Sequence, residues 1–234
     1  MPKILKPFIL NIFGHNVDFS AKISCSFIYS SKIKMSKNSK IGFFNVIYKT
    51  KIEMHANSYI GRMNVINGPF TLLLKEKAAV GKNNKIGRGS LGVSYGESIL
   101  QLGILAKITV NHHLDLTRTI TFGDFSILAG VGSQIWTHGY VHAPNGPGRY
   151  RIDGEVHIGD NVYIGSKVLI NPGVKISDAI NVGGNSTISK SLTKPGMYVS
   201  QPLRFLEKNF DSIKQSLVEV NYESLLDKVY EKPI

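Results

Sequence analysis

Aliphatic residues recur every six positions along much of this chain. Steps of six from Ile158 land on Ile164, Ile170, Ile176, Val182 and Ile188. A second row, offset by four, reads Val162, Val168, Val174 and Ile180 before it reaches Ser186. Gly, Asn, Asp and Ser fill the positions between. The same beat runs earlier through Val17, Ile23, Tyr29, Met35, Ile41 and Ile47. It continues through Ile60, Ile66 and Leu72, slips by two residues to Val80 and Ile86, and returns as Ile104, Val110, Leu116, Phe122 and Leu128. A helix repeats its apolar face every three or four residues, so a period of six excludes one. Regular hairpins would alternate with period two. Short extended segments joined by tight turns fit, each turning one aliphatic side chain inward. Stacked coils of such segments make a parallel β-helix with a continuous aliphatic interior. Val and Ile suit its pleated walls, and Gly and Asn suit turns with positive φ.

The beat stops after Ile135 and resumes at Val156 or Ile158. Between them stands W-T-H-G-Y-V-H-A-P-N-G-P-G-R-Y-R-I-D-G-E (136–155), with two prolines and four glycines. Such a stretch cannot continue the coil, so it must leave it as an extruded loop. Long loops on rigid scaffolds tend to carry function. This one holds His138 and His142, two of seven histidines. After Pro202 the spacing changes again. Phe205, Phe210, Ile213, Leu217, Val220, Leu225, Leu226 and Val229 give a helical pattern with one apolar face. The expected organisation is a β-helix domain over 1–204 followed by a C-terminal helical cap over 205–234.

The run I-G-D-N-V-Y-I-G-S-K-V-L-I-N-P-G-V-K-I (158–176), followed by V-G-G-N-S-T-I-S-K (182–190), resembles the hexapeptide-repeat acyltransferases. Within them it is most similar to the sugar and surface-polysaccharide O-acetyltransferases. The resemblance implies a left-handed parallel β-helix with three strands per coil, a homotrimer, and acetyl-CoA as co-substrate without a metal. Three hexads per coil make roughly nine coils, and strand spacing makes the prism about 40 Å long. T-H-G-Y-V-H is similar to a segment that carries the family's catalytic histidine at the base of the loop. By that resemblance His138 is the general base, and histidine's ordinary pKa of about 6.5 suits the task. Asn111 becomes a candidate contact to the acyl group or acceptor, and His142 an alternative base or a substrate contact. Ser166, Gly184, Ser189, Lys190 and Arg204 become candidate acetyl-CoA contacts, with Lys194 as a further phosphate partner. The family's glycine-containing turn reads V-S-Q-P-L-R (199–204) here, a departure from its pattern. Asp153, Glu155 and Asp124 stand as alternatives for a carboxylate that orients His138.

The implied reaction is transfer of acetyl to a sugar or polysaccharide hydroxyl. Amino-sugar N-acetylation is the alternative on the same scaffold. A zinc hydrolyase resembling β-helical carbonic anhydrase is a further one, with His112 or His113, His138 and His142 as ligands. The four-residue spacing of His138 and His142 departs from that pattern.

Composition narrows the partners. The chain of 234 residues has one cysteine, Cys25, which excludes a disulfide framework. Cys25 lies 113 residues before His138, too far along a prism for a nucleophile–base pair, and reads as a buried small residue. Lys and Arg number 28 against 16 Asp and Glu, a formal charge of +12. Residues 1–107 carry 16 basic and 4 acidic residues, and 108–234 carry 12 of each. The whole excess therefore sits in the first half. It suggests an anionic partner there, an acidic glycan or the anionic inner membrane face, with Lys32, Lys34, Lys37 and Lys40 clustered near one end. No nucleic-acid signature accompanies the charge. No apolar run reaches membrane-spanning length and no cleavage site follows the first apolar run, so a cytoplasmic protein is expected.

Overall fold

The computed structural model describes residues 5–200, 218–220 and 229–231. The chain divides into two compact units, Met1–Ser200 and Gln201–Ile234. The first is the parallel β-helix that the six-residue beat predicts. Its strands are mostly two to four residues long and pair in parallel with the strand one coil on. One face is a nine-stranded sheet, matching the expected number of coils. The other two faces share two long strands, Val46–Met54 and Val65–Leu74, that bend round a corner and so join them into a 14-stranded sheet.

The register defines three interior columns. Met35, Met54 and Leu74 stack on the first face, then Leu102, Phe122, Ile158 and Ile176. Ile41, Ile60, Val80, Ile108, Leu128, Ile164 and Val182 stack on the second. Ile47, Ile66, Ile86, Leu114, Ile135, Ile170 and Ile188 stack on the third. All of these are buried. Two beats point outward instead: Tyr29 and Ile104 are exposed. The inward step from Ile23 to Ile28 is five residues instead of six and that from Leu114 to Phe122 is eight, so the beat leaves the inward positions Ile28 and Leu102.

Polar groups are stacked as regularly as apolar ones. Asn45, Asn64 and Asn84 are fully buried in successive coils. The Asn45 Oδ1 accepts from both Asn64 N and Nδ2 at 2.9 Å, and Asn64 Oδ1 accepts from Asn84 N and Nδ2 at 2.9 and 3.0 Å. Asn84 Oδ1 then accepts from the His112 N–H at 2.9 Å, and His112 Nδ1 from the Ser133 N–H at 3.1 Å. The ladder satisfies backbone donors that the turn would otherwise bury unpaired. Close stacking also fixes glycine: a Cβ on Gly61 would lie 2.1 Å from the Gly81 carbonyl oxygen.

The N-terminal run forms a helix, Leu5–Ile12, which the six-residue beat does not reveal. Asn11, the residue that interrupts the run, accepts from Val17 N at 2.7 Å and donates to Val17 O at 2.9 Å. It ties the helix to the first strand while Leu10 packs on the core. Cys25 is exposed rather than buried, because it occupies a turn and not an inward strand position.

In the second unit, Val218–Val220 pairs antiparallel with Val229–Glu231. At those residues, which include Val220 and Val229 of the expected helical face, the chain is extended. The rest of the expected helical cap, and Arg204, lie outside the described residues.

Candidate active site

Two excursions leave the same corner of the prism, between the third and first faces. The expected loop is an antiparallel ribbon in which His138–His142 pairs with Arg149–Asp153. The other excursion, unannounced by the beat, lies between Ile86 on the third face and Leu100 on the first, around residues 88–98. It touches the ribbon through a hydrogen bond from Arg151 Nη1 to the Val93 carbonyl. The coil between them turns this corner in a few residues, and there it carries Asp115, Thr117 and Arg118.

The pairing of His113 with Gln134 and Leu114 with Ile135 puts Thr117 level with His138. His138 Nδ1 lies 2.8 Å from Asp115 Oδ2 and 3.1 Å from Thr117 Oγ1. Thr117 Oγ1 donates to Asp115 Oδ1 at 2.9 Å. Asp115 Oδ2 also accepts from the Thr137 N–H at 3.0 Å and lies 2.8 Å from Thr137 Oγ1. Arg118 N donates to Thr137 Oγ1 at 2.9 Å, which fixes that hydroxyl. Burial works to raise the Asp115 pKa, but hydrogen bonds from His138, Thr137 and Thr117 outweigh it and hold it below its ordinary value. An ionised Asp115 accepts the Nδ1 proton, so the tautomer it selects leaves the Nε2 lone pair for a substrate.

The His138 side chain is 26% exposed, against 9% for Asp115, so a reachable imidazole rests on a buried carboxylate. Aromatic rings flank it. Trp136 meets it edge-on at 6.0 Å and Tyr140 at 5.9 Å, and His113 stacks on Trp136 at 5.2 Å.

Asp115 was not among the carboxylates the sequence suggested for this position. Asp153 is held by Arg151 at 2.7 and 2.9 Å, Glu155 pairs with Arg118 at 3.3 Å, and Asp124 accepts from the Ile104 N–H at 2.7 Å. The signal available in the sequence was coil length: Asp115 precedes His138 by 23 residues, close to the 21 of this coil, which returns it to the same corner.

The other expected site residues separate into groups. His142 is exposed and pairs with Arg149 at the far end of the ribbon, four residues from His138. Asn111 has φ 55° and turns the corner between the second and third faces. Ser166 and Gly184 stack at that same corner, where the Asn185 N–H donates to Ser166 O at 2.8 Å. A Cβ on Gly130, one coil earlier, would fall 1.8 Å from Ser166 Oγ. Ser189 and Lys190 instead follow Ile188 at the corner of His138, two coils further on, and line a 320 Å³ depression with Tyr198. Within one chain, then, His138 shares a corner with Ser189 and Lys190 but not with Asn111, Ser166 or Gly184.

The three-histidine set is not assembled either. His112 is buried, with Nδ1 bonded to Ser133 N and Nε2 3.0 Å from Thr109 Oγ1. No group of three metal-ligating side chains occurs among the described residues. Nor is any helix among the described residues long and apolar enough to cross a membrane.

No family model matches the sequence, and no curated protein matches it. Among solved structures, the polysialic acid O-acetyltransferase OatWY aligns with 18% identity over 91% of this chain and 90% of its own, at a TM-score of 0.49. The polySia-specific acetyltransferase NeuO aligns with 16% identity over 83% and 87%, at 0.46. AntD, an N-acyltransferase from Bacillus cereus solved with dTDP and 3-hydroxybutyryl-CoA, aligns with 16% identity over 92% and 94%, at 0.40.

Proposed function

We propose that the chain is an acetyl-CoA-dependent O-acetyltransferase that modifies a sugar or polysaccharide hydroxyl by direct transfer, with His138 as general base. The observation that carries this reading is the Asp115–His138 pair, 2.8 Å apart at the base of the extruded ribbon. His138 Nε2 takes the hydroxyl proton while the oxygen attacks the thioester carbonyl carbon. The C–S bond then breaks, and the imidazolium returns the proton to the departing thiolate, so the enzyme ends as it began. Asp115 keeps the ring in the useful tautomer and stabilises its charge. Trp136 and Tyr140 present apolar ring surface beside the base, a suitable wall for the C–H face of a sugar. Ser189 and Lys190 continue the same corner and can follow the pantetheine and phosphates of CoA.

The working unit of this reading is a homotrimer. Ser166 and Gly184 are at a different corner from His138, and a second prism laid alongside would bring the two corners to one groove. Release of CoA from acetyl-CoA across a panel of glycan acceptors is the test. An active acceptor should lose about 10²–10⁴ in turnover with His138→Ala while acetyl-CoA affinity stays unchanged. Near-normal turnover in that variant defeats the assignment.

A further inference from the structure

Arg88 is a buried cation with no counter-charge among the described residues. It is 5% exposed, at the root of the 88–98 excursion. Its guanidinium donates to three carbonyls: Pro69 O at 2.9 Å, Tyr95 O at 2.7 Å and Gly96 O at 2.8 Å. Its Nε is buried without a partner, and no carboxylate of the described residues lies within salt-bridge distance. Neutral carbonyls orient a guanidinium but do not cancel its charge, and an uncompensated buried charge is costly. Burial, and beyond it the charge of Arg118, hold Arg88 below its ordinary pKa.

Arg88 lines a 250 Å³ cavity at this corner together with Lys49 and Lys51. Both lysines are exposed, and among the described residues neither forms an ion pair. Lys49 lies 5.2 Å over the Tyr48 ring. Thr71 adds a hydroxyl, while the Ser98 hydroxyl donates to Leu116 O at 2.8 Å, and among the described residues Glu97 is the one carboxylate lining the cavity. Three basic residues and one acidic residue, among those described, thus line one concave space.

From these observations we infer that the Lys49–Lys51–Arg88 cavity binds an anionic group of the acceptor, a carboxylate or a phosphate. This deepens the proposed function and rests on it for the word acceptor; the anion site itself stands on Arg88 and the lysines. The corner that carries the cavity also carries His138. Arg88 is two coils before it and Lys49 four, or about 10 and about 19 Å at the spacing of paired strands. A sugar that presents its hydroxyl to His138 would therefore carry its anionic group some two to four sugar lengths away. That geometry fits a carboxylated or phosphorylated residue further along a glycan chain. It also gives part of the first-half positive charge a specific task.

Binding can be read without catalysis. Titration calorimetry in the absence of acetyl-CoA would use three probes: inorganic pyrophosphate, a galacturonate tetrasaccharide and uncharged maltotetraose. Either anionic probe should bind at least about tenfold more tightly than maltotetraose, and Lys49→Gln/Lys51→Gln should weaken it about tenfold. Preference for pyrophosphate assigns a phosphate source, and preference for the galacturonate assigns a carboxylated glycan. The lysines are exposed, so the double variant should keep the wild-type melting temperature while Arg88 remains intact. His138→Ala should bind the probes like wild type, so an error in the base assignment leaves this result standing. Failure of both anionic probes to bind, or equal binding by the double variant, overturns the inference.

Discussion

At the scale of single residues, the proposed mechanism puts its weight on Asp115, whose carboxylate holds the His138 ring at 2.8 Å. Asp115→Asn keeps the shape but replaces an acceptor with an amide that favours the other imidazole tautomer. Turnover should fall by about 10²–10⁴, with the acetyl-CoA dissociation constant unchanged. Asp153→Asn, whose carboxylate serves Arg151, should cost less than about tenfold, and His142→Ala likewise. His112 gives a second residue-scale prediction, this one on stability. Desolvation lowers its pKa from 6.5 to about 4, because both ring nitrogens are buried in the polar ladder. The folded value lies below the unfolded one, so the unfolded chain binds more protons between those limits. Stability is full above about pH 6.5 and declines as pH falls toward 4, by about 3 kcal/mol at most. Melting temperatures measured from pH 7 to pH 4.5 should show the loss, and His112→Asn should flatten it in that range.

At the scale of elements, each coil is held by two kinds of stack, aliphatic and amide. Ile170→Ala removes an interior side chain between Ile135 and Ile188 and should cost about 2–4 kcal/mol. Asn64→Ala removes an acceptor shared by two donors of Asn84 and leaves the Asn84 N–H buried without it. Denaturant unfolding should register a loss of about 2–4 kcal/mol, comparable to the aliphatic truncation although no apolar column is touched. A cost below about 0.5 kcal/mol would make the amide ladder incidental. The ribbon and the 88–98 excursion are different in kind. Each is a departure from the coil that the coil itself does not need, which is why both can carry side chains chosen for chemistry.

At the scale of the whole molecule, the prism converts sequence order into position along an axis. The excess positive charge therefore gathers toward one end, though not evenly. Lys34 is paired with Glu53 at 3.3 Å, and Lys32 Nζ donates to Gly14 O at 2.7 Å, while Lys22 and Lys40 share a surface hollow. The proposed trimer predicts a mass in solution of about three times the 25.8 kDa chain. Light scattering on active protein is the check. An active monomer would mean that one prism completes the acetyl-CoA site alone, against the separation of Ser166 and Gly184 from His138.

The six-residue beat by itself determined the coil, its interior columns from Ile158 to Ile188, and the place where the ribbon leaves, because these depend only on which positions are apolar at what spacing. The family resemblance, with the place of the break, made His138 a candidate base. The beat could not reveal the excursion around 88–98, whose residues interrupt the count in a region where it already slips. Nor could it choose Asp115 over Asp153. Asp153 is the cross-strand neighbour of His138 on the ribbon, yet Arg151 takes its carboxylate. Asp115 is distant in sequence and reaches Nδ1 because the register stacks one coil on the next. The cation cluster of Lys49, Lys51 and Arg88 was hidden for the same reason: its members are spread over about 40 residues, and only the stacking of coils brings them to one cavity. Periodicity fixes which way a side chain points. Which side chains then meet depends on coil length, and the turns and insertions that set it carry no period.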